Sequence, residues 1–157
     1  MIKKSTLLLP FAIILILFFN TESFSQDKWW KEKKYKSETS RNKYELCKKT
    51  FKDIGFGFAS NNVNFINLYF DSQVYLNIIS IEKGYYSPNQ AEIILLDFME
   101  YFTIDNIKYQ RSSRFNTYAF VNGVYSYRKG SGKRDLGITI SLKYNYNKWF
   151  IDQININ

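Results

Sequence analysis

The sequence predicts an α+β fold in which helices pack on one face of a curved antiparallel sheet. A strongly marked helix occupies residues 87–102, after a region in which apolar side chains recur mostly at helical spacing. From Asn106 onward the apolar side chains instead alternate with a period of two, which is typical of strands. Helices that precede a run of antiparallel strands indicate the α+β class.

Two helices are predicted before residue 71. The segment KYELCKKTFKDIGFGFAS, residues 43–60, carries apolar residues at helical spacing, although each glycine inside a helix costs about 1 kcal/mol relative to alanine. Asn61 or Asn62 can cap a second, short helix within residues 61–70. The inward-facing residues of this second helix are predicted to be Val63, Ile66 and Phe70.

A pair of short strands is predicted next. The segment VYLNIISI, residues 74–81, is rich in β-branched and aromatic residues, which favour strands. Residues 82–84, Glu-Lys-Gly, are interpreted as the turn that leads to Tyr85 and Tyr86.

The helix that follows has the clearest start in the chain. Ser87 is a good N-cap, Pro88 fits the first helical position, and Gln90 can close a capping box. Ile93 and Leu96 widen the apolar stripe, so the stripe is expected to need more than one neighbouring element. We interpret this segment as a core helix rather than the wall of a cofactor site. Its inward positions are Ala91, Ile94, Leu95, Phe98, Met99 and Phe102.

Four antiparallel strands are predicted after that helix. The segments KGSGKRD, residues 129–135, and NYNK, residues 145–148, supply turns. The dipeptide Asn122-Gly123 could also form a hairpin turn, but the loop at residues 129–135 is the better one, so the dipeptide is interpreted as a bulge in a long strand. The strands are predicted to cover about residues 106–115, 117–128, 136–145 and 148–156.

Residues 1–25 are predicted to be a signal peptide. Lys3 and Lys4 precede an apolar run at residues 7–19, which is shorter than the roughly 20 residues of a membrane-spanning helix. Small residues before Gln26 predict cleavage between Ser25 and Gln26. The mature chain is therefore expected to be exported, either periplasmic or secreted, with no stable membrane span after cleavage.

The positive charge is concentrated near the predicted mature N-terminus. The chain has a formal net charge of +8, and residues 27–52 hold ten lysines and arginines against four acids. Residues 26–50 are therefore predicted to be a basic leader or linker, and residues 51–157 a single domain. The leader is expected to be a solvated, partly disordered or helical arm, with contact to an anionic envelope component as the alternative. Nucleic acid is not predicted as a partner, because the domain itself is almost neutral.

The element order matches a known architecture, the NTF2-like or cystatin-like cone. The segment YYSPNQAEIILLDF, residues 85–98, resembles the signature of family 4783 among the domains of unknown function, exported bacterial proteins found mainly in Bacteroidota. The segments FASNNVNFINLYFDSQVYLNI and ITISLKYNYNKWFIDQININ resemble its first strand region and its closing hairpin. The resemblance covers residues 51–157 and implies an NTF2-like fold and export, but no reaction and no catalytic residues.

The residue types restrict the chemistry. The chain has no histidine, which excludes Ser-His-Asp and Cys-His catalysis and the usual histidine-based metal sites. Cys47 is expected to be either a surface thiol or a small buried residue. It is not expected to be a nucleophile, since no histidine can activate it. The segment GSGK, residues 130–133, lacks the first glycine and the Ser or Thr of a phosphate-binding loop. No catalytic, cofactor-binding or metal-binding residue is therefore assigned, and no cofactor is predicted.

Two kinds of site remain open for such a cone. A carboxylate base with a tyrosine donor is possible in this fold, as in ketosteroid isomerase; the carboxylates near apolar runs are Asp97, Asp71 and Asp152, which are interpreted as solvated. The second kind of site is an aromatic-lined pocket for a small apolar ligand or a glycan. For the tyrosines that could line such a pocket, ordinary packing in the core and the sheet is the favoured interpretation. The candidate pocket tyrosines are Tyr75, Tyr109, Tyr118 and Tyr127.

The function predicted from the sequence is therefore that of an exported cell-envelope domain, a non-enzymatic binding or scaffold module. The alternative is a small-molecule enzyme of the isomerase or cyclase type that uses a carboxylate and a tyrosine in the cone.

Overall fold

The computed structural model describes residues 29–31, 34–35, 37–79 and 82–157. The predicted signal peptide and its cleavage site at Ser25 and Gln26 lie outside these residues. Three helices and six strands follow one another in the order α1 (Glu38–Ala59), α2 (Asn64–Asn67), β1 (Phe70–Ile78), β2 (Glu82–Tyr86), α3 (Pro88–Tyr101), β3 (Ile104–Arg114), β4 (Tyr118–Lys129), β5 (Gly132–Asn145) and β6 (Lys148–Ile156).

The six strands form one curved sheet in the order β2-β1-β6-β5-β4-β3. All neighbouring strands are antiparallel except β1 and β6, which run parallel. The α+β class and the helix-on-sheet arrangement predicted from the sequence are confirmed. The parallel pairing of β1 with β6 was not predicted, because it joins segments more than 70 residues apart in the chain.

The core lies between the helices and one face of the sheet. Tyr125 of β4 is fully buried, and its ring contacts Phe58 of α1 at 6.1 Å and Phe98 of α3 at 5.2 Å between centroids. Because both helices reach the same tyrosine, they cover the same face. The Tyr125 hydroxyl donates to the Phe102 carbonyl at 2.7 Å, so the buried polar atom is satisfied.

The start of α3 is as predicted, but its wide apolar stripe is not fully covered. The Ser87 amide donates to Gln90 Oε1 at 3.1 Å, so the predicted capping box is present. The inward positions of α3 are buried or half-buried, whereas Ile93 is 60% and Leu96 41% exposed. The expectation that the wider stripe is buried against a second neighbour was therefore wrong for these two residues.

The predicted first helix is confirmed, and it begins earlier than expected. α1 starts at Glu38 after Ser37, whose hydroxyl accepts from the Ser40 amide at 3.2 Å. It crosses residue 50, the predicted end of the leader, without a break. The helix tolerates Gly57 because α2 packs closely there; a Cβ on Gly57 would lie 2.6 Å from Ile66 Cγ1.

The β-rich half follows the predicted strands within a few residues, and Asn122-Gly123 lies inside β4 as predicted. The irregularity beside it is in β3, because the pairing jumps from Tyr109 to Arg111 and leaves one extra residue in that strand. A Cβ on Gly123 would lie 2.5 Å from the Lys108 carbonyl oxygen, which explains the glycine.

The turns differ from the predictions in two places. Because β4 continues to Lys129 and β5 begins at Gly132, the turn predicted at residues 129–135 contains only residues 130 and 131. Tyr146 and Asn147 have φ values of 47° and 62° and form the two-residue turn predicted at residues 145–148. Residues 82–84, predicted as a turn, belong instead to β2, where Glu82 pairs with Ile78. The prediction of a turn at residues 82–84 was therefore wrong.

Part of the predicted leader lies against the end of β3. Trp30 is buried, and its Nε1 has no hydrogen-bond partner among the described residues. The Ser112 hydroxyl donates to the Trp29 carbonyl at 2.6 Å. The burial of Trp30 departs from the expectation of a solvated arm over residues 26–50, whereas burial was one of the two possibilities given for Cys47.

Candidate functional site

An apolar pocket lies between α3 and the β1–β2 hairpin. Its volume of about 300 Å³ is at the lower end of the range of small-molecule sites. The described residues that line it come from the strand pair, from α3 and from the residue directly after α3: Ile78, Glu82, Ile94, Asp97, Phe98, Tyr101 and Phe102.

Local sequence periodicity places these side chains together. Residues 94, 97, 98 and 101 are spaced so that they share one face of α3. On the opposite wall Ile78 and Glu82 are directly paired across the β1–β2 ladder. The pocket therefore lies where the last two turns of α3 face the end of the hairpin at which β1 connects to β2.

The floor of the pocket is apolar and aromatic. Ile78, Phe98 and Phe102 are buried, and the rings of Phe98 and Phe102 stack with their centroids 5.1 Å apart. Tyr101, by contrast, is 71% exposed and contacts the edge of Phe102 at 4.7 Å. Tyr101 therefore forms part of the mouth of the pocket rather than its floor.

Two carboxylates line the same pocket. Glu82 is half-buried, and its Oε2 accepts a hydrogen bond from the Tyr86 hydroxyl at 2.6 Å. This hydrogen bond to the carboxylate raises the pKa of Tyr86 above its ordinary value. Asp97 is exposed and makes no hydrogen bond or ion pair with any described residue. The pocket thus combines an apolar interior with two acidic groups that no described lysine or arginine neutralises.

The three aspartates considered from the sequence are separated in the structure. Asp97 is exposed at the mouth of the pocket, as expected of a solvated carboxylate. Asp71 is half-buried at the start of β1, where its Oδ1 accepts from the Ser72 amide at 2.7 Å. Asp152 is exposed on β6, at a register shift opposite Ser141 and Leu142. None of the three lies at the floor of the pocket.

The four candidate tyrosines do not line this pocket either. Tyr109 packs against Trp29 and donates to the Phe51 carbonyl at 3.0 Å. Tyr75 pairs with Tyr85 across β1 and β2, with ring centroids 5.1 Å apart. The other two contact single aromatic neighbours, as the preference for ordinary packing predicts: Tyr118 with Phe120 and Tyr127 with Phe102.

Sequence reasoning missed Glu82 and Tyr101. Glu82 was assigned to a turn, although the alternation in Glu82–Tyr86 already places residues 82, 84 and 86 on one side of a strand. Tyr101 was not among the inward positions assigned to this helix, but it lies seven positions after Ile94 and so shares its face.

Cys47 is the small buried residue of the two possibilities considered. It is fully buried in α1, and burial raises the pKa of its thiol to about 12. The thiol therefore stays protonated near neutral pH and is a poor nucleophile.

Among the described residues no group of three or more Cys, Asp or Glu side chains is placed to hold a metal ion.

No described helix is both long and apolar enough to cross a bilayer.

No curated protein matches the chain significantly. The solved structures that resemble it define its class. An NTF2-like protein from Anabaena variabilis superposes with a TM-score of 0.61 over 81% of this chain and 94% of its own, at 11% identity. The chain therefore has an NTF2-like fold.

The family follows from the sequence match. Residues 51–157 match the family described as Domain of unknown function (DUF4783), so this chain belongs to that family. A DUF4783 family protein from Bacteroides uniformis is 19% identical, with a TM-score of 0.62 over 68% of this chain and 94% of its own. Another, from Bacteroides fragilis, is 20% identical, with a TM-score of 0.59 over 66% and 93%. The family resemblance and the NTF2-like fold predicted from the sequence are both confirmed.

Proposed function

We propose that this protein is an exported, non-enzymatic binding module that holds a small apolar molecule in the pocket between α3 and the β1–β2 hairpin. The observation that carries the proposal is the pocket itself, a cavity of about 300 Å³ with a floor of Ile78, Phe98 and Phe102. Apolar concave sites with a few polar groups at the edge are the usual form of small-molecule sites.

The helix that forms the pocket is well fixed at its start. The Ser87–Gln90 hydrogen bond and the buried residues Ala91 and Leu95 hold the first turns of α3 against the sheet. The last turns are held by Met99 and by the stacked pair Phe98 and Phe102. A preformed apolar site loses less conformational entropy on binding than a site that must first be ordered.

The test is the fluorescence of the neutral apolar dye N-phenylnaphthylamine, which rises when the dye enters an apolar site. We expect saturable binding to the wild-type protein. Ile94→Trp should fill the pocket and reduce the affinity about tenfold or more, whereas Ile93→Trp, at the exposed neighbouring position, should not. Thermal unfolding of both variants separates a blocked pocket from a damaged fold. Equal loss in both variants, or no saturable binding at all, would contradict the proposal.

Export is part of the same proposal, and it is supported by the arrangement of residues 1–25 described above. Cell fractionation with intact-mass analysis tests it. We expect a mature protein outside the cytoplasm that begins at Gln26, and a protein that retains residues 1–25 would contradict this expectation.

We also propose that the basic leader contacts an anionic component of the envelope. Removing the leader is unsuitable as a test, because Trp30, Cys47 and Thr50 are buried. The double variant Lys31→Gln/Lys34→Gln changes charge at two exposed positions instead. It should weaken binding to vesicles that contain phosphatidylglycerol in a salt-dependent way. The control Lys108→Gln/Lys148→Gln removes the same charge from exposed positions of the sheet. Equal effects of the two variants would mean that the leader has no special role.

One observation favours a second candidate, the carboxylate-and-tyrosine enzyme. Glu82 lines the pocket and is hydrogen-bonded to Tyr86, so a carboxylate and a tyrosine do lie side by side there. Two features rank this candidate lower. The Tyr86 hydroxyl donates its proton to Glu82 itself and is not directed at a substrate oxygen. Glu82 is also only half-buried, whereas a general base of this type is tuned by desolvation.

A further inference from the structure

We propose that the pocket selects amphiphiles with an ammonium head group: the apolar tail lies on Ile78, Phe98 and Phe102, and the charged nitrogen lies between Glu82 and Asp97. This inference rests on the proposed binding function and names the chemical class of the ligand.

The charged side chains among the described residues that line the pocket are both acidic. Glu82 comes from β2 and Asp97 from α3, so acidic groups line both walls. Neither forms a salt bridge with a described lysine or arginine, although Glu82 accepts the hydrogen bond from Tyr86. An anionic head group placed there would face two like charges at the edge of an apolar cavity, where Coulomb interactions are stronger than in water. A cationic head group would be attracted by both.

The last turn of α3, which contains Phe98 and Tyr101, faces the pocket, and it contains no basic residue. The C-terminal end of a helix carries the negative end of the helix dipole and unsatisfied carbonyl groups. Cations are stabilised there, so the backbone and the two carboxylates favour the same sign of charge.

α3 contains three acids, Glu92, Asp97 and Glu100, and no lysine or arginine. Lys83, which adjoins Glu82 in β2, extends from the opposite side of the strand because side chains alternate along it. The nearest charged group after α3 is Asp105, which is already paired with Arg128 and Lys133. None of the salt bridges among the described residues therefore involves Glu82 or Asp97.

Tyr101 adds a feature that suits an ammonium group. It is 71% exposed at the mouth of the pocket and is therefore accessible to a ligand. Aromatic faces attract ammonium ions, and this attraction is stronger when the site is partly desolvated. The pocket lining of Tyr101, Glu82 and Asp97 is therefore a suitable environment for a primary or quaternary ammonium group.

The test compares three probes of equal chain length that displace N-phenylnaphthylamine: dodecylammonium, dodecanol and dodecanoate, each below its aggregation concentration. We expect dodecylammonium to bind about five- to tenfold more tightly than dodecanol, and dodecanoate to bind most weakly. Added salt should reduce this preference but leave dodecanol binding nearly unchanged.

Two conservative variants locate the effect. Glu82→Gln removes the negative charge but keeps an acceptor for the Tyr86 hydroxyl. Asp97→Asn removes the negative charge at an exposed position with little change in side-chain size. The double variant should bind dodecylammonium and dodecanol alike. Glu100→Gln is the matched control, because Glu100 lies on α3 but does not line the pocket; it should keep the preference.

The outcomes separate the two proposals. Equal binding of all three probes, or a preference that survives in the Glu82→Gln/Asp97→Asn variant, overturns the ammonium inference and leaves the apolar pocket standing. Displacement of the dye by none of the probes overturns both.

Discussion

The guanidinium carbon of Arg114 lies 4.2 Å from the centroid of the Trp30 ring and fastens the chain before α1 to the end of β3. Arg114 Nη1 also donates to the Tyr35 hydroxyl at 3.0 Å, and Nη2 donates to the Lys31 carbonyl. The Arg114 guanidinium thus donates a hydrogen bond to the Lys31 carbonyl and packs on the Trp30 indole at the same time. The chain before Glu38 is therefore part of the folded unit at these contacts.

Replacement of Arg114 by alanine should destabilise the protein. The variant loses the ring contact with Trp30 and two hydrogen bonds from a charged donor, for an expected cost of about 2–4 kcal/mol. Urea denaturation measures the change. Arg111→Ala is the matched control, since Arg111 is exposed on the same strand and should cost less than about 0.5 kcal/mol. Similar losses for the two variants would show that the contact with Trp30 is not stabilising.

Replacement of Phe98 by alanine should be among the most damaging changes in α3. Phe98 is buried and contacts Phe102 and Tyr125, so the loss of its ring should cost about 3–5 kcal/mol. Ile93→Ala on the exposed side of the same helix should cost well under 1 kcal/mol. Denaturation curves of the two variants test the orientation of α3, and a loss below about 1 kcal/mol for Phe98→Ala would contradict it.

The glycine beside the β3 irregularity should not tolerate a side chain. A Cβ at Gly123 would lie 2.5 Å from the Lys108 carbonyl oxygen, so Gly123→Ala must separate two paired strands. We expect a loss of about 1–3 kcal/mol, in the range of overpacked positions. At Gly132 the nearest atom to a Cβ would be the Lys129 carbonyl oxygen at 3.8 Å, and alanine there should be nearly neutral. Thermal unfolding that ranks these variants in the opposite order would be inconsistent with the β3–β4 register.

Alkaline pH should destabilise the fold. Burial raises the pKa of Cys47 from 9.0 to about 12 and raises that of Tyr125 above its ordinary value. The folded state therefore holds these protons more tightly than the unfolded state does. Their contribution is fully present below the unfolded pKa and is lost as the pH rises toward the folded pKa. For Cys47 the window is roughly pH 9 to 12, with a slope of about 1.4 kcal/mol per pH unit.

Cys47→Ala isolates the thiol in that experiment. The free energy of unfolding of the variant, measured between about pH 9 and pH 10, should fall less steeply than that of the wild type, because tyrosine contributes little below its ordinary pKa of 10.0. Equal slopes for variant and wild type would mean that the thiol is accessible in the folded state.

Local signals in the sequence predicted local structure well. The capping residues Ser87 and Gln90 and the Asn-rich turn at residues 145–148 act within a few positions of one another, so their geometry could be inferred directly. The buried residues of α3 followed from helical periodicity. The exposure of Ile93 and Leu96 did not, because it depends on whether a second element covers them.

Features that depend on distant contacts were not predicted. The contact of Trp30 with Arg114 joins residues 84 positions apart, and nothing near Trp30 in the sequence indicates it. The pocket was missed for the same reason: Glu82 reaches it only because β2 pairs with β1 and α3 folds back over that pair. Non-local pairing had to be known before the two acids could be placed together.

Whether the pocket beside α3 is the ligand site is measured most directly by intermolecular nuclear Overhauser effects between dodecylammonium and the side-chain protons of the protein. We expect contacts from the alkyl chain to Ile78 and Ile94, and from the carbons next to nitrogen to protons of Asp97 and Tyr101. Contacts confined to other exposed apolar residues, such as Leu46 and Leu68 on the α1 and α2 side, would contradict it.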